Sequence, residues 1–194
     1  MSISSAPGKA IIFSAPSGSG KTTIVRHLLE HADLPLGFSV SATTRAPRGT
    51  ERHGVDYYFL SLEDFERRSA AGEFLEWEEV YPGIRYGTLR SELQRHAEGG
   101  RAVLFDVDVV GGLRLRELLG DQALAIFVRT PTLDILRERL ERRGTDSAES
   151  IAIRVEKAAR EWRYAEQFDI QIVNDDLAQA CDDATRVVAA FLEG

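Results

Sequence analysis

An α/β fold, a parallel sheet covered by helices on both faces, is predicted by three observations. Short apolar runs recur along the 194 residues, and helix-period segments alternate with them. The first run also feeds a Gly/Ser-rich loop that opens directly into a helix. "KAIIFS" reads as a buried strand, and after the loop Ile24, Val25, Leu28 and Leu29 recur at helical spacing. "RAVLFDVD" (101–108), "ALAIFVR" (123–129) and "DIQIV" (169–173) are further buried strands. Helices are expected at 109–119, 132–143, 147–165 and 176–192, with Gly144 as a stop and Asp146 with Glu149 as a capping box.

The stretch 38–87 departs from this rhythm. It is richer in Tyr, Thr, Arg and Gly, with strand-like pieces at "FSVS", "DYYFL", "FLEWEEVY" and "IRYG" and one short helix begun by Ser61. This predicts a small, mostly β insertion in one domain, giving a core of 1–37, 93–130 and 157–194, an inserted region at 38–92 and a helical lid at 131–156.

Composition narrows the function classes. A net charge of −7 gives no overall attraction to nucleic acid or to a membrane surface, so neither is expected as a partner. No apolar run approaches the roughly 20 residues of a membrane helix, and "MSISSAPGKAIIF" lacks the basic and apolar regions of a signal peptide. The single cysteine, Cys181, excludes an internal disulfide and fits a reducing compartment. The chain reads as a soluble, cytoplasmic protein; its oligomeric state is left open.

"SAPSGSGKTT" (14–23) nearly fits G-x-x-x-x-G-K-[ST]. Such a loop binds phosphates with backbone amides and a helix N-terminus, places its Lys on the β/γ-phosphates and its hydroxyl on Mg²⁺. Ala15, Pro16, Ser17, Gly18, Ser19, Gly20, Lys21, Thr22 and Thr23 are therefore the candidate ATP-phosphate residues, with Thr22 toward Mg²⁺. Ala15 stands where the pattern has its first glycine, which is harmless if φ there is negative. Downstream, "SATTRAPRGTERHGVDYY" gathers Arg45, Arg48, Arg52, Tyr57 and Tyr58, and Pro47 with Gly49 holds Arg45 and Arg48 on a loop. Two arginines and a tyrosine hydroxyl converging on one spot suit a second phosphate; a solvated charged loop is the alternative.

Loop and cluster together resemble the guanylate kinase family. Its loop form G-P-S-G-x-G-K-[ST] is matched by 15–22 apart from Ala15, and its S-x-T-T-R-x-P-R by Ser41, Thr43, Thr44, Arg45, Pro47 and Arg48. "FLEW" (74–77) followed by Tyr86, Gly87 and Thr88, the pair Asp106 and Asp108, "RLERRGT" (139–145) and "VNDD" (173–176) arrive in family order, from about residue 9 to the C-terminus. The Trp77–Tyr86 spacing is slightly long for the family.

The resemblance implies a P-loop nucleoside monophosphate kinase fold that moves the γ-phosphoryl group of ATP to GMP with Mg²⁺, in purine nucleotide metabolism. By that resemblance Arg45, Arg48, Tyr57 and Tyr86 hold the GMP phosphate with Glu51 close by. Glu76 accepts from the guanine donors while Ser41 and Thr88 donate to its O6. Asp108 lies near the acceptor base and Asp106 near the metal's waters, the two roles not being separable. Asn174 lies near the ATP base. Of the lid candidates Arg137, Arg139, Arg142, Arg143 and Arg154, the pair Arg139 and Arg143 stand four apart as like charges, an arrangement that costs about 0.2–0.5 kcal/mol without an anion between them. Arg142 reads instead as a surface partner of Glu138. Lys21, Arg45, Arg139, Arg143 and Arg154 are the candidate catalytic cations. Two other readings stand beside this one: an inactive guanylate-kinase-like module that binds protein, and a related kinase acting on a sugar bisphosphate.

Overall fold

The structure is a computed structural model and describes residues 8–144 and 146–194, so Thr145 of the lid motif and the first seven residues lie outside it. In chain order, β1 (Ala10–Ser14) leads into α1 (Lys21–Glu30) and β2 (Leu36–Phe38). Then come β3 (Ala42–Thr43), β4 (Tyr58–Phe59), α2 (Leu62–Ala70), β5 (Phe74–Tyr81), β6 (Ile84–Leu89) and α3 (Arg90–Glu98). The remainder is β7 (Ala102–Asp106), α4 (Val109–Leu119), β8 (Ala123–Arg129), α5 (Leu133–Arg143), α6 (Ala148–Glu161), β9 (Ile170–Val173) and α7 (Leu177–Glu193).

A five-stranded parallel sheet has the order β2-β7-β1-β8-β9. Its strands are mostly apolar because both faces are covered, and alternate residues serve opposite sides. Ile11 and Phe13 of β1 pack with Ile24, Val25 and Leu28 of α1 and Ala184 and Val188 of α7. Ala10 and Ile12 pack on the other side with Leu115 of α4, Phe127 and Phe168. α5 and α6 share their own apolar seam of Leu136, Leu140, Ile151, Val155 and Ala158. A second, four-stranded sheet, β4-β3-β6-β5, encloses Ala42, Phe65, Phe74 and Leu89.

Four local expectations are corrected. "FSVS" is not one strand: Phe38 ends β2 in the large sheet, and Ala42 begins β3 in the small one. Helix α3, between the inserted region and β7, was not anticipated; its stretch is mostly polar, and only Glu92 and His96 are buried. The helix at 147–165 stops at Glu161 and continues as a 3₁₀ turn to Gln167. Its cap is Ser147, whose hydroxyl accepts from Ser150 N at 3.2 Å, while Asp146 pairs with Arg154 at 3.1 Å.

The two sheets are joined through one buried carboxylate. Glu92 on α3 is 1 % exposed and accepts hydrogen bonds from Val40 N (2.7 Å), Tyr58 Oη (2.9 Å) and Arg95 Nη2 (2.7 Å). It thereby ties the segment leaving β2, strand β4 and the helix returning to β7. Burial opposes its ionisation, yet Arg95, Val40 and Tyr58 together hold the carboxyl below its usual range.

Candidate active site

β1 ends at Ser14, and the chain turns at Gly18 and Gly20, with φ of 95° and 92°, before α1 begins. Gly20 is the N-cap of α1, contributes no side chain to cap it, and no acid occupies the first turn. The helix amides and dipole are thus directed at whatever occupies the loop, an arrangement suited to an anion. Glycine is needed at 20 twice over: a Cβ there would lie 2.1 Å from Asn174 Nδ2. Asp33 is the one non-glycine residue with positive φ among those described, so Ala15 has the expected negative φ. Its methyl packs against the large core cluster.

A cleft of about 570 Å³ lies over this loop. Ala15, Pro16, Ser17, Gly18, Gly20, Lys21, Thr22 and Thr23 line it from the loop side, and Arg139, Arg143 and Arg154 from the lid side. Lys21 Nζ donates to Val107 O at 2.9 Å and pairs with Asp106 at the end of β7. Arg154 donates to Ser17 Oγ at 2.8 Å, and Arg139 to Asp175 O at 3.1 Å. Leu136 and Leu140 of the lid close against Gly18, where a Cβ would meet Leu140 at 2.9 Å. Arg142 is not in the cleft, and among the described residues it forms no ion pair with Glu138. Lys157 and Glu161 of α6 also line the cleft, and burial raises the carboxyl of Glu161 above its usual range. Five cations face three carboxylates there, so the lining is net positive in an acidic protein.

Ser19 and Asn174 do not reach this cleft. Both are buried, and Asn174 Nδ2 donates to Ser19 O at 2.8 Å from behind the loop. The amide of Asn174 thus supports the loop's backbone.

A second cleft, about 210 Å³, is lined by Ser41, Tyr57, Glu76, Glu78, Tyr86, Gly87 and Gly111. Asp106, Val107 and Asp108 line both clefts, which therefore meet at the carboxyl end of β7. Thr88, expected to reach the base, is buried beside Glu76 on the neighbouring strand β6 and does not line the cleft; its Oγ1 donates to Glu76 Oε1 at 2.7 Å. Burial raises the Glu76 carboxyl above its usual range, against the hydrogen bond from Thr88. Arg45 and Glu51 stand behind the tyrosines as a bidentate pair at 2.7 and 2.8 Å. Arg45 Nε also donates to Tyr86 Oη at 3.0 Å, and its guanidinium lies 4.8 Å from the Tyr57 ring centroid. Glu51 is held down to about 2 by the Arg45 hydrogen bond and by the amide of Arg48. Arg48 itself is exposed on the loop.

Asp108 caps α4 by accepting from Gly111 N at 2.8 Å. Glu78, Lys157 and Glu161 are the charged cleft residues that sequence reasoning missed. The alternation of β5 carried the signal for Glu78, since it stands two residues from Glu76 and so on the same side of the strand. The long Trp77–Tyr86 spacing is absorbed by a register irregularity between Glu79 and Tyr81.

The donor set also fits a hard divalent cation held mainly by phosphates and water. Thr22 offers a hydroxyl and Asp106 a carboxylate at the same cleft, both suited to Mg²⁺. Among the described residues no group of three or more His, Cys, Asp or Glu forms a protein cage for a metal.

The sequence model of the family described as guanylate kinase matches residues 7–191. A guanylate kinase of Porphyromonas gingivalis is 51 % identical over 184 residues, covering 95 % of this chain and 98 % of that one. One of Bacteroides thetaiotaomicron is 51 % identical over 191 residues, covering 98 % and 93 %. The crystal structure of guanylate kinase from Anaplasma phagocytophilum superposes with a TM-score of 0.75 at 30 % identity, covering 100 % of this chain and 90 % of that one.

Proposed function

The chain belongs to the guanylate kinase family and transfers the γ-phosphoryl group of ATP to GMP, giving ADP and GDP; from that premise we propose how its residues divide the work. The larger cleft takes ATP and the smaller takes GMP, and their meeting at Asp106–Asp108 is the observation that carries this division. The core is 1–37, 93–130 and 157–194, the GMP-binding region 38–92 and the lid 131–156.

Loop amides and Lys21 hold the β- and γ-phosphates of ATP, and Asp106 with Val107 O keeps the ammonium at the junction of the clefts. Arg139, Arg143 and Arg154 reach the transferring group from the lid, spreading its charge and excluding water. Mg²⁺, when bound beside Thr22, neutralises charge developing on the phosphate oxygens. Asn174 acts through the loop it supports.

On the acceptor side, Glu76 accepts from guanine N1–H and the exocyclic amine, Ser41 presents a hydroxyl to the base edge, and Thr88 acts through Glu76, to which its hydroxyl donates. Tyr57, Tyr86 and Arg48 receive the GMP phosphate. Of the five N–H donors of Arg45, four are already used on Tyr86, Ala46 and Glu51, leaving one for that phosphate. Catalysis is positioning plus electrostatic stabilisation, with no covalent intermediate. The lone buried Cys181 accords with a cytoplasmic setting, and among the described residues no helix is long and apolar enough to cross a membrane.

A coupled assay of ADP formation with GMP, dGMP, AMP and a sugar phosphate tests the reading. GMP should turn over with Mg²⁺, and AMP should fall roughly 10⁴-fold in kcat/KM because its edge leaves Glu76 unpaired. Equal turnover of AMP and GMP would overturn the base-reading assignment, and no turnover with any acceptor would favour a binding module.

A further inference from the structure

Resting on the assignment of the smaller cleft to GMP, we propose that Gly111 is a further specificity-determining residue of the acceptor site. The place of its missing side chain is where the exocyclic amine of guanine lies.

Helix α4 begins with two adjacent buried glycines among its first residues, Gly111 and Gly112, and each is glycine for a different reason. A Cβ at 112 would stand 2.3 Å from Ser14 Oγ and 3.4 Å from Ile12 Cγ2, so the packing of α4 on β1 requires its absence. No such contact forbids a side chain at 111. The φ of Gly111 lies outside the left-handed region. The three atoms nearest to a Cβ there are Asp108 Oδ1 at 3.5 Å, Glu76 Oε2 at 3.6 Å and Glu76 Cδ at 3.8 Å, all ordinary van der Waals distances. Packing and helix propensity would therefore both accept alanine at 111.

What a side chain at 111 would meet is the base. Gly111 lines the smaller cleft together with Glu76 and Asp108, and one oxygen of each carboxylate lies within 3.6 Å of the point a Cβ would occupy. Both carboxylates are fixed by the protein. Thr88 holds Glu76 through Oε1, so that Oε2 is the oxygen beside Gly111, and the amide of Gly111 holds Asp108 Oδ1 at 2.8 Å. An exocyclic amine carries two N–H donors on one nitrogen, which suits a spot flanked by two acceptors. On the same edge of guanine, O6 is an acceptor and N1 carries a single donor, so the amine is the group that matches. A donor nitrogen sits about 2.9 Å from its acceptor oxygen. A methyl 3.5 Å from one of these oxygens and 3.6 Å from the other takes up the same space.

Kinetics of the full chain with GMP and with inosine monophosphate, which differs from GMP only in lacking the amine, test this. Wild type should favour GMP by roughly 10–100-fold in kcat/KM, the worth of a hydrogen bond to a charged group. Gly111→Ala should melt no lower than wild type and keep KM for ATP. It should lower the preference for GMP by about tenfold or more, through KM for GMP, with the inosine nucleotide little changed. The ratio is read within one preparation, so it is independent of the fraction folded. Gly112→Ala should melt lower and keep the wild-type ratio. A Gly111→Ala variant with the wild-type ratio, or with equal losses for both acceptors, would overturn the role of Gly111 while leaving the cleft assigned. So would a Gly112→Ala variant that shifts the ratio as far, since a displaced α4 would then explain both. A preference for GMP over AMP unaltered by Glu76→Ala would overturn the cleft assignment and this inference with it.

Discussion

Asn174 Nδ2 lies 2.8 Å from the carbonyl oxygen of Ser19, so the end of the fifth core strand supports the phosphate loop from its buried side. Asn174→Ala removes the donor from a buried carbonyl, and stability should fall by about 1–3 kcal/mol. KM for ATP should rise with KM for GMP unchanged. Thermal melts and two-substrate kinetics check both, and a GMP effect as large as the ATP effect would contradict the placement.

Lys21 carries the charge at the junction of the clefts. Lys21→Met should lower kcat by about 10³ or more, since transfer depends on electrostatic stabilisation and positioning. GMP binding, measured without ATP, should remain within a few-fold of wild type. Single-turnover rates decide this, and a variant within tenfold of wild type would remove Lys21 from the mechanism.

The Arg45–Glu51 pair makes a pH prediction. Glu51 is depressed to about 2, so its contribution is present above the unfolded carboxyl's value and is lost as pH falls through the folded one. The difference in melting temperature between wild type and Glu51→Gln should be full above about pH 5 and vanish toward pH 2. Glu51→Gln should also raise KM for GMP, because Arg45 then loses the partner that fixes it behind Tyr57 and Tyr86. A pH-independent difference in melting temperature would rule out the charged pair as its source.

Removing Glu92 should be the costlier change. Glu92→Ala leaves Val40 N, Tyr58 Oη and the Arg95 guanidinium without their buried acceptor, and stability should fall by about 3–5 kcal/mol. Glu92→Gln should recover part of that loss, with KM for GMP affected more than KM for ATP. Chemical denaturation with both variants measures it, and a loss below 1 kcal/mol for the alanine variant would show that the node is dispensable.

The large sheet and its loop were legible because their signals are local. An apolar run, glycines, a Lys-Thr pair and a helix period follow one another within twenty residues, and Ala15 has the φ that chemistry required. Arg139 and Arg143 also reach the cleft as their spacing suggested, and Arg154, a candidate by resemblance, joins them. Helix α3 was not legible, because its buried positions are Glu92 and His96, which read as surface residues until their long-range partners are known. Asp146 was taken for a cap because its spacing to Glu149 fits one, but an arginine eight residues on competes for it and Ser147 caps instead. Glu78 stands among acidic neighbours in "EFLEWEEV", and only the fold brings it into one cleft with Asp108. Asn174 illustrates the same limit: sequence placed it beside the nucleotide, but a carbonyl behind the loop is its partner.

Because Asp106, Val107 and Asp108 bound both clefts, redesign is unequal across the molecule. Retargeting the enzyme to a different nucleoside monophosphate should work by substitutions on β5 and β6, which of the two clefts line only the smaller. A change at the strand end alters donor and acceptor together. Directed evolution for a new base should therefore accumulate its useful mutations in the small sheet and leave those three positions intact.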